Sequence, residues 1–120
     1  MNEYIGTLFQ SRNQSHIYHL QTSSYAKHIA LNEYYDGIIG IVDSIVESYQ
    51  GKYDILKGYK MAGTLKDLES DEDIIKYFEG LAKYCEMKRE KLPQDNFLNN
   101  LYDDVDTLVR STLYKLKRLS

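Results

Sequence analysis

Six side chains within residues 16–47 are candidate metal ligands. They comprise all three histidines of the protein and three carboxylates that share a face of one predicted helix with the last histidine. Imidazole nitrogen and carboxylate oxygen are common protein ligands of divalent metals. The stretch therefore predicts a metal site with ligands drawn from His16, His19, His28, Asp36, Asp43 and Glu47.

Each of these residues also has an ordinary structural interpretation. A histidine on an apolar helix face is often a core or interface residue, and Asp43 with Glu47, one helical turn apart, is often a solvated acidic face. Tyrosines near the histidines, such as Tyr35, are interpreted as packing residues. Cys85 is the one cysteine, which excludes an internal disulfide. It is interpreted as a small buried apolar residue rather than a nucleophile.

Helix one carries two of the histidines. Apolar side chains recur at steps of three and four through residues 3–20, which is the spacing of one helix face. His16 and His19 continue this stripe, and Leu20 ends it. Both histidines are therefore predicted to lie on the apolar face of the helix.

Helix two carries the remaining candidates. The segment QTSS interrupts the helical pattern, and Ser23 or Ser24 can accept a backbone N–H as the N-cap of the next helix. That helix is predicted from Ser24 to Gln50, with Gly51 just past its end, where glycine is favoured.

The remainder of the chain predicts a long connection and two more helices. Residues 51–69 contain three glycines and four lysines without a sustained period. They are interpreted as a crossover with one short helix around Tyr53–Lys60. Helix three is predicted to begin at Ser70 and to stop before Pro93. The inner face of helix three is predicted to carry Ile74, Phe78, Leu81, Ala82 and Cys85. Asp95 or Asn96 is predicted to be the N-cap of helix four.

This order of elements predicts an all-α fold, a ferritin-like four-helix bundle with a long crossover between helices two and three. The 120 residues are expected to form one domain, 1–120. The net charge is −3 with mixed signs, so tight nonspecific binding of nucleic acid is not expected. The chain lacks an apolar run of membrane-spanning length and a secretory signal. A soluble cytoplasmic protein without a membrane partner is expected.

Helix geometry separates the candidate ligands of helix two. His28 and Asp43 are fifteen positions apart, or about 22 Å along a helix axis, whereas a metal ion reaches its ligands at about 2–2.5 Å. The two side chains cannot share an ion within one chain. If helix two packs antiparallel on its twin around a two-fold axis, His28 of one chain faces Asp43 of the other. Gly37 and Gly40 then lie near the axis, where they let two backbones approach. A homo-oligomer with two equivalent interfacial sites is predicted.

The spacing His16-x11-His28-x3-Asn32-x10-Asp43-x3-Glu47 resembles the ferroxidase motif of the DNA-protection-during-starvation (Dps) proteins, the mini-ferritins. The resemblance implies a diiron site at a dimer interface and assembly as a dimer or a cage. It implies iron as the metal, with zinc or manganese as alternatives, and oxidation of Fe(II) by peroxide or oxygen. Carried over to this chain, it places His16 and His28 opposite Asp43 and Glu47 of a twin chain.

The sequence departs from that family at several positions. Asn32 stands where the family has a carboxylate, and Asp36 lies one turn further on. His19 competes with His16 as the first ligand, because the residues after His19 look more like the family's context. The lysine-rich N-terminal tail of the family is absent, so DNA binding is not expected.

A second interpretation stays open. The chain is also similar to small phage-encoded proteins of unknown function that share a His-x8-His-x-Ala-Leu and a Tyr-Asp-Gly signature. On this interpretation the ferritin-like scaffold carries no metal. It serves instead as a phage structural or host-interaction module whose apolar helix faces bind protein. The replacement of the family carboxylate by Asn32 favours this view.

Overall fold

The computed structural model describes residues 1–61 and 63–120. These residues form four α-helices and no β-strand, in a body of 44 × 26 × 22 Å. The predicted all-α fold with four helices is confirmed. Within the described residues, no helix has an apolar stretch long enough to cross a bilayer. The helices are α1 (Asn2–Gln21), α2 (Tyr25–Lys52), α3 (Asp71–Arg89) and α4 (Asn96–Arg118).

Local capping signals place the helix starts close to their predicted positions. The Ser24 hydroxyl accepts a backbone N–H at 3.3 Å and caps α2. α3 begins with a capping box, in which the Asp73 carboxylate accepts the Ser70 N–H at 3.1 Å. The end of α2 differs from its prediction. This helix continues to Lys52, so Gly51 lies inside its last turn.

The core is formed mainly where α2 packs between α1 and α4, and where α4 packs on α3. α1 and α3 touch at few points. Large aromatic side chains fill the centre. The ring of Tyr34 meets Phe78 edge-on at 4.9 Å, and Tyr4 meets Tyr102 at 5.7 Å. The predicted inner face of α3 is confirmed, because all of its members are buried: Ile74, Phe78, Leu81, Ala82 and Cys85.

The buried face of α1 differs from the predicted stripe. Leu20 is 69% exposed, so its predicted inward position is wrong. Ser11 and Tyr18 are buried instead. Ser11 tolerates burial because its hydroxyl donates to the Leu8 carbonyl and accepts from the Tyr34 hydroxyl, both at 2.7 Å. The inner face is therefore partly polar, which an apolar periodicity does not detect.

The described residues of the connection from α2 to α3, 53–61 and 63–70, run along α1 and are called the strap below. The short helix predicted around Tyr53–Lys60 is wrong, because none of those residues is helical. A helix would pair its backbone groups internally, whereas groups of the strap pair with side chains of neighbouring helices. The Gln14 amide accepts the Lys66 N–H and donates to the Lys66 carbonyl, both at 2.8 Å. Gln21 accepts another strap N–H at 2.7 Å.

The strap returns the chain to the end of the bundle where α1 stops. Thr22, just after α1, donates its hydroxyl to the Asp71 carboxylate at the start of α3, at 2.9 Å. At the opposite end, Lys88 of α3 pairs with Glu3 of α1 at 3.7 Å. α2 and α3 therefore start at the same end of the bundle and run in the same direction.

Candidate functional site

The three histidines lie together where α1 ends and α2 begins, and we refer to His16, His19 and His28 as the histidine cluster. The ring of His19 stacks on that of His28, with centroids 3.6 Å apart and 17° between the planes. His16 stacks on Tyr35 of α2, with centroids 4.3 Å apart. It also meets His19 edge-on at 5.9 Å. The turn between the helices thus brings together side chains that are separated in sequence.

Reciprocal hydrogen bonds fix the stacked pair. Nδ1 of His19 lies 2.7 Å from the backbone oxygen of His28, and Nδ1 of His28 lies 2.8 Å from the backbone oxygen of His19. A carbonyl oxygen only accepts, so each Nδ1 carries a proton. In the neutral ring, Nε2 then keeps its lone pair. Neither Nε2 is among the buried unpartnered atoms of the described residues, which comprise the Tyr4 hydroxyl alone.

The stacking also limits what the pair can bind. A metal ion lies in the plane of an imidazole that ligates it, about 2 Å from the nitrogen. Two nearly parallel rings 3.6 Å apart have no such point in common. His19 and His28 can therefore ligate one ion together only if one ring turns out of the stack.

Asn32 is already engaged by its own helix. Its side-chain oxygen accepts from the Tyr35 hydroxyl at 2.7 Å, and its amide nitrogen donates to the Asp36 carboxylate at 2.9 Å. Both ends of the amide are thus used at the position where the Dps family has a carboxylate. Asp36 belongs to this chain of hydrogen bonds and lies on the outer side of α2.

The other two candidate carboxylates lie along the exposed face of α2. Asp43 and Glu47 are both exposed, and neither pairs with a lysine or arginine in the described part of the chain. The structure does not join them to the histidine cluster. Within the described residues, no three His, Cys, Asp or Glu side chains of one chain come close enough to hold a metal ion. A metal site at these residues would need a second chain.

The two glycines of α2 differ in their surroundings. A Cβ at Gly37 would lie 3.3 Å from the side chain of Leu108, so this glycine relates partly to packing on α4. A Cβ at Gly40 would meet nothing within 4 Å. Gly40 therefore leaves bare backbone on the same exposed face as Asp43, whereas Gly37 has a role within the chain.

Tyr35 belongs to the site, although its sequence position did not predict this. It was interpreted as a packing residue, and it is 9% exposed. Its ring stacks on His16 and its hydroxyl holds Asn32, while the Arg12 guanidinium lies 5.8 Å from its centroid. The one available signal was its position three residues after Asn32, on the same helix face.

Cys85 lies apart from this site. It is buried in the core, as predicted. Burial, followed by the nearby Asp106 carboxylate, raises the pKa of its thiol to about 12. The neutral thiol is not a nucleophile, so the interpretation of Cys85 as a core residue agrees with its environment.

These observations describe a four-helix, all-α protein with a histidine cluster at one end, and with Asp43 and Glu47 exposed along α2 without an ion pair to the described residues. The chain belongs to a family described as Family of unknown function (DUF5856), which matches residues 19–116. The matched segment includes His19, His28 and the three candidate carboxylates, and it begins after His16. No curated protein and no solved structure matches the chain.

Proposed function

We propose that this chain is a ferritin-like, Dps-like metal-binding protein in which two copies hold divalent metal between them, with Fe(II) as the first candidate. Each site takes His28 and a histidine of α1, His19 or His16, from one chain, and Asp43 and Glu47 from the other. Oxidation of bound Fe(II) by peroxide or oxygen is the proposed reaction. The observation that carries the proposal is the reciprocal hydrogen bonding of His19 and His28.

Metal-binding histidines commonly make a hydrogen bond of this kind through the ring nitrogen that does not bind the metal. Such a histidine donates its second ring N–H to a backbone carbonyl or carboxylate, which fixes the tautomer and directs the other nitrogen at the metal. Both stacked histidines make this contact through Nδ1. Because their rings are nearly parallel, binding of one ion by both includes a turn of one ring.

The carboxylates supply the second line of support. Asp43 and Glu47 lie one turn apart on an exposed helix face without a cationic partner among the described residues. Packing two such faces antiparallel around a two-fold axis would bury each Asp43/Glu47 pair against the other chain, and two like charges one turn apart are unfavourable there unless a cation neutralises them. Bound metal provides that neutralisation. Gly40, with open space beside it, lies on the face that would approach the twin.

The order of the helices fits the ferritin-like part of the proposal. α2 and α3 start at the same end, and the strap carries the chain back along α1 between them. This is the connectivity of a bundle with one long crossover. An isologous contact through α2 would give two equivalent sites in each dimer.

The first test is the metal content and the mass of the purified protein. Protein from cells grown with added iron is analysed by mass spectrometry for metals and by light scattering, before and after treatment with a chelator. We expect bound metal in a dimer or larger assembly, and Fe(II) oxidation above the background rate. A monomer that carries no metal under these conditions would contradict the proposal.

The second test asks whether each site is shared between chains. His28→Ala and the double variant Asp43→Asn/Glu47→Gln are each expected to lose metal. When the two are unfolded, mixed in equal amounts and refolded, mixed dimers contain one intact site. Random pairing should then restore about one quarter of the wild-type sites. Asp104→Asn/Glu90→Gln, which removes two exposed carboxylates elsewhere, should keep full binding. A mixture that restores no metal, beside variants that remain dimeric, would exclude a shared site.

A metal-free interaction module is the second candidate, and a specific surface favours it. Tyr25 is 78% exposed, Leu119 46% and Ile29 39%, and all three line one shallow depression at the end of the bundle. Exposed apolar side chains that cluster in this way are typical of protein contact sites. A folded protein that binds no metal, yet loses its assembly on Tyr25→Ser, would establish this function in place of the first.

A further inference from the structure

A cleft of about 1350 Å³ lies between α1 and α3 beneath the strap. It is open because α1 and α3 touch at few points, while Gln14 and Gln21 of α1 hold the strap in place. Pockets for small ligands usually measure about 300–1,000 Å³. The cleft is separate from the histidine cluster, which lies between α1 and α2. A small molecule can therefore enter it without rearrangement of the core.

Three of the carboxylates that line the cleft have no cationic partner in the described structure: Asp67, Glu69 and Asp73. Asp67 accepts from a side-chain amide of α1 at 3.0 Å. Asp73 accepts two backbone N–H groups where α3 begins, at 3.1 and 3.3 Å. These neutral donors hold two of the carboxylates in place without cancelling their charge.

Lysines also line the cleft, but their charges are not fixed in it. Lys60, Lys66 and Lys76 are all exposed. A lysine carries its ammonium group on a flexible stem, which can turn the charge into solvent. The fourth carboxylate of the cleft, Glu3, already lies 3.7 Å from the Lys88 ammonium. The charge fixed at the cleft wall is therefore that of the unpaired carboxylates, and it attracts a cation.

Tyr18 of α1 is a second, independent feature that points to a ligand. This residue lines the cleft and is only 4% exposed. Its hydroxyl forms no hydrogen bond within the described part of the chain, and it is not among the fully buried unpartnered atoms, so it opens into the cleft. Burial, followed by the nearby Asp73 carboxylate, raises the pKa of the phenol, so the hydroxyl stays neutral. A hydroxyl oxygen beside a carboxylate can accept together from one ammonium group, which has three donor hydrogens.

The wall beside Tyr18 suits a chain of methylene groups. The ring of Tyr77 meets that of Tyr18 edge-on, with centroids 6.1 Å apart, and Leu81 lies one turn further along α3. Next to Leu81, a Cβ at Gly80 would meet nothing within 4 Å. Glycine in the interior of a helix destabilises it by about 1 kcal/mol relative to alanine. The bare backbone at Gly80 is explained if a ligand lies against α3 there.

We propose that this cleft binds a small organic ammonium ion, a diamine or polyamine in chemical class. One ammonium group donates to the Tyr18 hydroxyl and to the Asp73 carboxylate. The methylene chain lies along Tyr77 and across the backbone of Gly80. Tyrosine rings also attract cations through their faces.

An organic cation fits this cleft better than a metal ion does. Within the described residues, no three His, Cys, Asp or Glu side chains come close enough to hold a metal. A diamine carries its charges on a chain, so it can reach carboxylates that do not converge on one point. The site is separate from the proposed metal site and does not depend on it.

The first test is calorimetric titration of the full chain with putrescine, spermidine and butanediol as separate probes. Both amines are expected to bind, and spermidine more tightly because it carries one more ammonium group. Butanediol has the carbon chain of putrescine without its charges, so it should bind far more weakly. Binding of butanediol as tight as that of putrescine would overturn the proposal, as would no binding of either amine at millimolar concentration.

Substitutions at the ammonium position test the assigned contacts. Asp73→Asn keeps an oxygen that can accept the backbone N–H groups, so α3 should begin as before. It should weaken putrescine binding about tenfold or more, the usual effect of losing one charged contact. Tyr18→Phe keeps the ring in place and should also weaken binding. Asp104→Asn, an exposed aspartate of α4 outside the cleft, should bind as the wild type does.

Two results with these variants would overturn the proposal. Equal weakening by Asp73→Asn and Asp104→Asn would indicate attraction to surface charge in general. Unchanged binding by both Asp73→Asn and Tyr18→Phe would show that the ammonium group does not lie between these side chains.

A further variant blocks the cleft without removing a charge. Gly80→Met places a side chain in open space, so the helix should form as well as before and putrescine binding should be lost. Gly51→Met, also beside open space but in the last turn of α2, is the matched control and should bind normally. Unchanged binding by Gly80→Met would overturn the proposed site.

Discussion

Tyr4 and Tyr34 of the core are equally buried, but only the hydroxyl of Tyr34 has a hydrogen-bond partner among the described residues. Tyr4 and Tyr34 are both fully buried. The Tyr34 hydroxyl lies 2.7 Å from Ser11 Oγ, whereas the Tyr4 hydroxyl has no partner among the described residues. Burial raises the pKa of both phenols, so both are buried in the neutral form. A buried polar group without a partner destabilises the folded state by about 1–3 kcal/mol.

Replacing each of these tyrosines by phenylalanine should therefore change stability in opposite directions. Tyr4→Phe removes an unpartnered hydroxyl and is expected to raise the free energy of unfolding by about 1 kcal/mol. Tyr34→Phe leaves Ser11 without its donor and is expected to lower it by about 1 kcal/mol. Urea unfolding of the two variants measures both values. A loss of stability in Tyr4→Phe as large as that in Tyr34→Phe would show that the Tyr4 hydroxyl has a partner.

The sequence predicted that the three histidines lie close together, but it did not predict the hydrogen bonds between His19 and His28. Helical spacing and the QTSS turn are local signals, so they indicate that the three histidines meet near one end of the helix pair. The Nδ1 contacts of His19 and His28 join residues nine positions apart across that turn, and the spacing carries no information on them. The same is true of Tyr35, whose stacking on His16 depends on how the two helices pack.

Among the elements, the helices were predictable and the strap was not. Periodicity and capping residues indicate a helix from its own residues, and they placed all four helices. The strap takes its conformation from distant partners, including the Gln14 and Gln21 amides and the backbone of Asn2, whose oxygen accepts from the Lys60 N–H. A short helix around Tyr53–Lys60 was therefore a reasonable local prediction that nonlocal contacts overrode.

A close approach of the strap to α1 at Gly6 allows a test of how firmly the strap is held. A Cβ at Gly6 would lie 1.7 Å from the backbone oxygen of Lys60, so Gly6→Ala must displace the strap. We expect it to lower the free energy of unfolding by about 1–3 kcal/mol, the usual effect of overpacking. Gly80→Ala, in another helix interior but beside open space, should raise it by up to about 1 kcal/mol. Urea unfolding compares the two variants, and equal effects would show that the strap moves away from α1 without loss of stability.

At the scale of the whole molecule, the spacing of the candidate ligands along α2 predicted that a metal site needs two copies of the chain. The separation of His28 from Asp43 along α2 is fixed by helix rise, and it implied two half-sites before any packing was known. How a second copy packs on α2 depends on surfaces and not on periodicity. The predicted role for Gly37 illustrates this limit, because the chain itself packs Leu108 against that glycine.

The end of the bundle opposite the histidine cluster offers a test through pH. There the Asp95 carboxylate, just before α4, accepts hydrogen bonds from Lys52 at the end of α2 and from the Tyr53 hydroxyl, the latter at 2.7 Å. These bonds, with Lys52 first, lower the pKa of Asp95 in the folded protein. The folded state therefore loses this proton more readily than the unfolded state does. The resulting stabilisation is present above the unfolded-state pKa of about 4 and is lost as pH falls through the lower folded-state pKa.

Asp95→Asn should accordingly be less stable than the wild type at pH 7 and should lose less stability on acidification. The difference between the two free energies of unfolding is expected to shrink between about pH 5 and pH 2, as the wild-type carboxylate takes up its proton. Urea unfolding at a series of pH values measures it. Asp104→Asn, an exposed aspartate of α4 without an ion-pair partner in the described structure, should follow the wild-type curve. A constant difference between wild type and Asp95→Asn at every pH would mean that the carboxylate's charge does not hold the ends of α2 and α4 together.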